Sequence, residues 1–122
     1  MLYFRTNFKV KMKEFIFLFR GGKTTEASDA ELIAHENAWD DWMIALEQRE
    51  VLIDGMPVKD EAVIVDGQSE KRGEETGDYS VTGYLILEAK DLDAAVALTK
   101  GCPIFEFGGS IEVRPLDSEI ED

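Results

Sequence analysis

The sequence has few of the residues that build metal and disulfide sites. It contains one cysteine, Cys102, and one histidine, His35, in 122 residues. A single cysteine excludes a disulfide within the chain and any metal site made of several cysteines. A single histidine excludes a zinc site that takes several histidines from one chain. The sequence therefore predicts neither a metal site nor a cofactor.

Long apolar runs are also missing. The longest, at residues 15–19, has the length of a strand and falls far short of the roughly 20 apolar residues that span a bilayer. Arg20 and two glycines follow it, and this is not the small-residue pattern at which a signal peptide is cleaved. We expect a cytoplasmic protein that has no membrane partner.

Positive charge is scarce. The chain has 13 Lys and Arg against 26 Asp and Glu, a formal net charge of −13. A nucleic-acid backbone or an anionic lipid surface would be repelled, so we expect no nucleic-acid partner. We interpret the acidic residues as a solvated surface in preference to a dedicated site for a cation or a basic partner.

The length fits one domain. Residues 1–11 have no regular apolar period and are predicted to be an N-terminal extension, either a leader or an arm. Residues 12–116 are predicted to form the domain, and residues 117–122 a disordered acidic tail. Basic residues gather near the N-terminus, and a nucleic-acid arm there is the alternative to a leader.

The apolar periods predict the element order β-α-β-β-α-β. Strands are predicted at 14–19, 62–65, 81–88 and 110–114, the first of them buried on both faces. Ser28 and Glu31 form a capping-box pattern that begins a helix ending near residue 50. Asp91 is predicted to cap a second helix, which ends at Gly101. Residues 54–57 are predicted to be a turn, and residues 66–80 a long loop that is mobile or functional.

Each predicted helix has an apolar stripe. In the first helix the stripe steps by three or four residues through Leu32, His35, Trp39, Trp42, Met43 and Leu46. In the second helix it comprises Leu92, Ala95, Val96 and Thr99.

This order is that of an α+β fold of the ferredoxin-like, split βαβ type. Two helices would cover one face of an antiparallel sheet. We expect the other face to carry alternate aromatic residues of 15–19, and a second copy of the sheet is its simplest cover. A homodimer with a barrel-like interior is therefore predicted.

Several segments resemble one known family when they are taken in order. They are Met-Lys-Glu-Phe at 12–15, Phe-Arg-Gly-Gly at 19–22, Trp-Asp-Asp-Trp-Met at 39–43, Val-Leu-Ile-Asp-Gly-Met-Pro at 51–57, Gly-Tyr-Leu-Ile-Leu at 83–87, Gly-Cys-Pro at 101–103 and Gly-Gly-Ser-Ile-Glu-Val-Arg-Pro at 108–115. Over residues 12–116 the chain resembles the YCII-related family, close to its DGPF-type branch. The resemblance implies a dimeric α/β barrel.

The family is largely uncharacterised in function. Some members have been proposed as enzymes because a His and Asp pair lies in a pocket, and DGPF-type members are associated with sigma factors. This chain lacks the Asp-Gly-Pro-Phe motif and has Lys-Arg-Gly-Glu at 71–74 near its expected place. It also has Cys102-Pro103 where YCII-like members tend to carry Asp-Pro, so the His and Asp pair is not carried over intact.

Six residues are candidates for a site. His35 could act as a general acid or base, or be a core residue that is hydrogen-bonded to a carbonyl. Arg20 and Arg114 could bind a carboxylate or phosphate, with Glu112 beside them, or these residues could form a structural ion pair. Trp39 and Trp42 could stack on a ligand, or pack in the core or the dimer interface. Cys102 follows a helix C-terminus, which disfavours a thiolate nucleophile.

Two functions therefore stay open. In the first, Arg20, His35 and Arg114 converge on a small-molecule pocket inside the dimer. In the second, the chain is a non-catalytic module whose 66–80 loop and acidic surface contact a protein partner.

Overall fold

The computed structural model describes residues 11–74 and 80–117, which form a mixed α+β structure. In chain order the elements are β1 (Lys13–Arg20), α1 (Asp29–Gln48), β2 (Leu52–Pro57), β3 (Glu61–Val65), β4 (Glu70–Glu74), β5 (Val81–Ala89), α2 (Leu92–Ala97), a 3₁₀ helix (Pro103–Phe107) and β6 (Ser110–Pro115). The mixed α+β class is confirmed. No helix in the described ranges is long and apolar enough to cross a membrane.

The strands form two antiparallel sheets. The larger has the order β2-β5-β1-β6, and β3 pairs with β4 in a separate two-stranded sheet. In the larger sheet, β1 and β2 are joined through α1 and are separated by β5. In the same way β5 and β6 are joined through α2 and are separated by β1. The buried core lies on one face of this sheet.

Strand β1 alternates between the two faces of the sheet. Phe15, Phe17 and Phe19 are buried in the core, whereas Ile16 and Leu18 on the opposite face are half-buried. The prediction that β1 is buried on both faces, with aromatics on the uncovered one, is wrong for the single chain. The two-residue period places all three rings on the helix-covered side, where Phe19 meets Trp39 and Trp42 edge to face.

The predicted capping box begins α1. The Ser28 Oγ accepts from the Glu31 backbone N–H at 3.1 Å, and the Glu31 carboxylate accepts from the Ser28 backbone N–H at 2.8 Å. The hydrogen bond from the Ser28 backbone N–H lowers the pKa of the Glu31 carboxyl. The helix ends at Gln48, two residues before the predicted end, and it buries His35, Trp42 and Leu46 of the predicted stripe.

The predicted turn at 54–57 is part of a strand. β2 runs through these residues and pairs with β5, so it takes the place in the sheet that was predicted for residues 62–65. Gly55 serves close packing here. A Cβ on Gly55 would overlap the Leu85 side chain and lie 2.7 Å from the Tyr84 carbonyl oxygen.

The predicted 66–80 loop is a strand in part. Residues 66–69 form a turn in which the Asp66 carboxylate accepts from the backbone N–H groups of Gln68 and Ser69, and β4 then pairs back on β3. Residues 75–79 of that loop lie outside the described residues. So do the predicted N-terminal extension and acidic tail, apart from Lys11 and Asp117.

The second helix is shorter than predicted. The Asp91 cap is confirmed, because its carboxylate accepts from the Ala94 backbone N–H at 2.8 Å. Ala95 and the C-cap residue Leu98 reach the core, whereas Leu92 and Val96 are exposed, so the predicted apolar face is wrong in part. Gly101 has a positive φ of 80° and ends the turns after α2, and the 3₁₀ helix then begins at Pro103.

The close approach of β2 to β5 makes Gly55 sensitive to substitution. We expect Gly55→Ala to lower the free energy of unfolding by about 1–3 kcal/mol, because the added methyl group forces the two strands apart. Urea denaturation of both proteins would measure the loss. Val58→Ala, at an exposed residue just beyond β2, is the matched control and should unfold close to the parent. Equal stability of Gly55→Ala and the parent would contradict this account.

Candidate functional site

A cleft of about 680 Å³ opens between α1 and the β2–β5 side of the larger sheet. Its walls are mainly apolar and include Phe19, Trp39, Met43, Leu85 and Ile104. Charged residues also line it: Lys23 after β1, Asp40 on α1, and Asp60 before β3. A volume of this size, an apolar wall and a few polar groups are typical of small-molecule sites.

Trp39 is the aromatic wall of this cleft. Its ring lies 5.4 Å from Phe19 and 5.6 Å from Trp42 between centroids, and both contacts are edge to face. Such contacts hold a ring in one orientation and add to the stability that burial provides. Trp39 is half-buried, so part of its surface is available to a molecule in the cleft.

His35 also lines the cleft and holds the indole of Trp39. The Trp39 Nε1–H donates to His35 Nε2 at 3.0 Å, and His35 Nδ1 lies 3.2 Å from Glu106 Oε1. An indole nitrogen can only donate, so Nε2 must be the unprotonated nitrogen of the imidazole. The hydrogen is therefore on Nδ1 and is donated to the Glu106 carboxylate.

This arrangement occupies both nitrogens of the imidazole. A general base needs a free nitrogen within reach of the proton that it removes. With His35 8% exposed and bonded on both sides, its role in this geometry is to position Trp39. Of the two predictions for His35, the hydrogen-bonded core residue is closer to the structure than the general acid or base. Its partners are a carboxylate and an indole, and not a carbonyl.

Glu106 was not among the sequence candidates. It lies in the 3₁₀ helix, 71 residues from His35, and no local pattern connects the two. Met43 was assigned only to the apolar stripe, and Lys23 and Asp60 carried no signal as site residues. The spacing of four residues between His35 and Trp39 was the one available indication, since side chains at i and i+4 meet on a helix.

Arg20, Glu112 and Arg114 form a separate cluster. Arg20 Nη2 lies 3.1 Å from Glu112 Oε1, and Arg114 Nη1 lies 3.5 Å from Glu112 Oε2. Their strand neighbours Phe19, Ile111 and Val113 belong to the core or pack against it, so the three charged residues lie on the opposite face of the sheet. The prediction that Arg20, His35 and Arg114 converge is therefore wrong for the single chain.

The two tryptophans also have different roles. Trp42 is 9% exposed, and its Nε1–H donates to the Lys100 carbonyl oxygen at 3.3 Å, which places it in the core. Only Trp39 lines the cleft. The core alternative therefore holds for Trp42, whereas Trp39 keeps the position of a ligand-contacting residue.

The residues with metal-binding or nucleophilic side chains add no further site. Within residues 11–74 and 80–117, no three His, Cys, Asp or Glu side chains are grouped so that they could hold a metal ion. Cys102 is 3% exposed, and burial raises the pKa of its thiol to about 11. A thiol in this environment is a packing group.

No protein-family model matches the chain, and no match was found among the curated proteins either.

The hydrogen bonds of His35 predict one tautomer. We expect Nδ1 to carry the hydrogen, because Nε2 accepts from the Trp39 indole. Two-bond ¹H–¹⁵N correlation spectra of neutral His35 would show this, and its signals are unambiguous since there is one histidine. Trp39→Phe removes the donor and should let the Nε2–H form appear. A predominant Nε2–H form in the parent protein would contradict the arrangement.

The raised pKa of Cys102 has two measurable consequences. At pH 8 we expect iodoacetamide to label the native protein many times more slowly than the urea-unfolded protein, as followed by mass spectrometry. The folded pKa of about 11 lies above the ordinary thiol value of about 8.5. The thiol's contribution to stability is therefore present below pH 8.5 and is lost as pH rises toward 11. A Cys102→Ala variant should lack this component, and equal labelling rates would refute the account.

Proposed function

We propose that the chain is a YCII-related, cytoplasmic homodimer that binds a small molecule in the cleft between α1 and the sheet. The observation that carries the proposal is the cleft itself, with its volume of about 680 Å³ and its Trp39 wall. The proposal is one of binding without assigned chemistry, because the nitrogens of His35 are both engaged by protein side chains.

The strand order supports the ferredoxin-like part of the proposal. The sheet has the order β2-β5-β1-β6 and combines two β-α-β units, β1-α1-β2 and β5-α2-β6. Strand β5 lies between β1 and β2, and strand β1 lies between β5 and β6. This order is in line with the proposed split βαβ arrangement, with the β3–β4 hairpin between β2 and β5 along the chain. The resemblance of residues 12–116 to the YCII-related family is in line with this architecture. The single cysteine supports a cytoplasmic location, since small secreted domains are rich in disulfides.

The uncovered sheet face supports a homodimer. At its centre Leu18 lies opposite Tyr84 and Ile16 lies opposite Ile86, and all four residues are only half-buried in the single chain. A second copy of the same face would remove this apolar surface from water and would close a barrel-like interior. The Arg20, Glu112 and Arg114 cluster lies on the same face and would come near the partner.

An alternative function is a non-catalytic protein-interaction module, linked to sigma factors by the family resemblance. The observation that favours it is the β3–β4 hairpin, on which Val63, Ile64 and Val65 are 43%, 63% and 64% exposed. Exposed β-branched residues on a two-stranded hairpin are a surface on which a protein partner could pack. The cleft is a concave site with an apolar wall, whereas the hairpin offers only exposed side chains. We therefore place the protein-interaction function second.

One experiment tests the cleft and the dimer separately. Native mass spectrometry with the neutral probe 2-naphthalenemethanol should give a dimer that carries one probe per chain. We expect Trp39→Ala to keep the dimer and to bind the probe about fivefold to tenfold more weakly, because the loss of one aromatic contact is worth about 1 kcal/mol. Ile44→Ala, on the exposed side of α1, is the control.

Native mass spectrometry also distinguishes a failure of the proposed dimer from a failure of the proposed binding site. Ile86→Asp should yield monomers by placing a charge on the uncovered face, whereas Val96→Asp, at an exposed position of α2, should remain a dimer. A parent protein that is monomeric would refute the dimer. A dimer that retains no probe at any concentration would refute the cleft as a binding site and favour the protein-interaction alternative.

A further inference from the structure

The described residues that line the cleft include one lysine and two aspartates. The sequence predicted a pocket inside the dimer that uses Arg20, His35 and Arg114, but both arginines lie on the face of the sheet away from this cleft. Lys23 is the one Lys or Arg side chain among the described lining residues. It forms an ion pair with Asp60 at 2.8 Å, so these two charges offset each other at the rim.

Asp40 is the third Lys, Arg, Asp or Glu residue among the described residues that line the cleft. It lines the cleft next to Trp39 and one turn before Met43, and it is exposed. No residue in the described part of the chain forms an ion pair with it. Its carboxylate is therefore available to a cation that enters between α1 and the sheet.

The helix that carries Asp40 strengthens the negative potential. α1 has six carboxylate residues and no lysine or arginine; they are Asp29, Glu31, Glu36, Asp40, Asp41 and Glu47. The net charge of −13 for the whole chain acts in the same direction. Such a field raises the local concentration of cations and repels anions.

The interior of the cleft favours an apolar body. Phe19, Trp39 and Met43 present two aromatic rings and a thioether. An indole attracts a cation placed over its face, and a thioether adapts to ligands of irregular shape. The apolar wall and the carboxylate are adjacent on α1, so one small ligand can contact both.

We propose that the cleft selects an apolar amine, with its hydrocarbon or aromatic body against Trp39, Phe19 and Met43 and its ammonium group at Asp40. This inference rests on the proposed function and adds the chemical class of the ligand. It also gives one acidic residue of the surface a role beyond solvation. The arrangement needs no movement of His35, which stays bonded to the Trp39 indole.

The test uses three probes of one shape and different charge: 2-naphthylmethylamine, 2-naphthalenemethanol and 2-naphthoate. Titrations at pH 7, followed by the shift of the Trp39 indole signal in ¹H–¹⁵N spectra, give a dissociation constant for each. We expect the amine to bind about threefold to fivefold more tightly than the alcohol, from one exposed ion pair with Asp40. The naphthoate should bind most weakly of the three.

Two variants distinguish the Asp40 carboxylate from the negative potential of the whole chain. Asp40→Asn should weaken binding of the amine about threefold and leave binding of the alcohol unchanged. Asp41→Asn makes the same change of net charge at a neighbouring residue that does not line the cleft, so it should leave both constants close to the parent values. Higher salt should reduce the preference for the amine.

Each result decides one point. If the alcohol binds as tightly as the amine, or if the naphthoate binds best, the inference is wrong and the proposed binding function stands. If Asp40→Asn and Asp41→Asn weaken the amine equally, the acidic surface acts as a whole and the site at Asp40 is refuted. If none of the three probes binds, the proposed function itself fails.

Discussion

The packing of Phe19 beneath Trp39 and Trp42 is the contact on which the arrangement of the cleft depends. It joins β1, whose side chains alternate with a period of two, to α1, whose side chains repeat every three to four residues. Three aromatic rings in mutual edge-to-face contact leave α1 little freedom to rotate over the sheet. The rotation of α1 in turn decides that Trp39 lines the cleft and that Trp42 is buried.

A second set of contacts makes this position more rigid. His35 receives the indole hydrogen of Trp39 and donates its own hydrogen to Glu106, so the wall of the cleft is tied to the 3₁₀ helix. The ion pair between Lys23 and Asp60 ties the segment after β1 to the segment before β3 at the rim. Trp39, Lys23 and Asp60 at the cleft are therefore already paired with other side chains, which would lower the entropy lost on binding a ligand there.

Features that depend on near neighbours in the chain were predictable. The capping box at Ser28 and Glu31 and the cap at Asp91 involve residues three positions apart, and both form as the sequence indicates. Residues 54–57 were mistaken for a turn because glycine and proline are typical of turns. Residue 55 is a glycine because Leu85 of strand β5 leaves no room for a Cβ there. The sequence alone does not show that these two residues are in contact.

The candidate site was predicted less well for the same reason. The link between His35 and Glu106 spans 71 residues and depends on how the 3₁₀ helix packs on α1. The separation of Arg20 from His35 follows from the alternation of β1, since Arg20 succeeds a residue that points into the core. Strand alternation could have excluded their convergence once Phe19 was assigned to the helix-covered side.

The sheet gives the molecule two surfaces of different chemistry. The uncovered face carries two arginines around one glutamate beside half-buried aliphatic residues, whereas the cleft on the other side has a free carboxylate beside aromatic ones. Under the proposed function, self-association and ligand binding would use opposite sides of the sheet, so a change in one surface would leave the other intact.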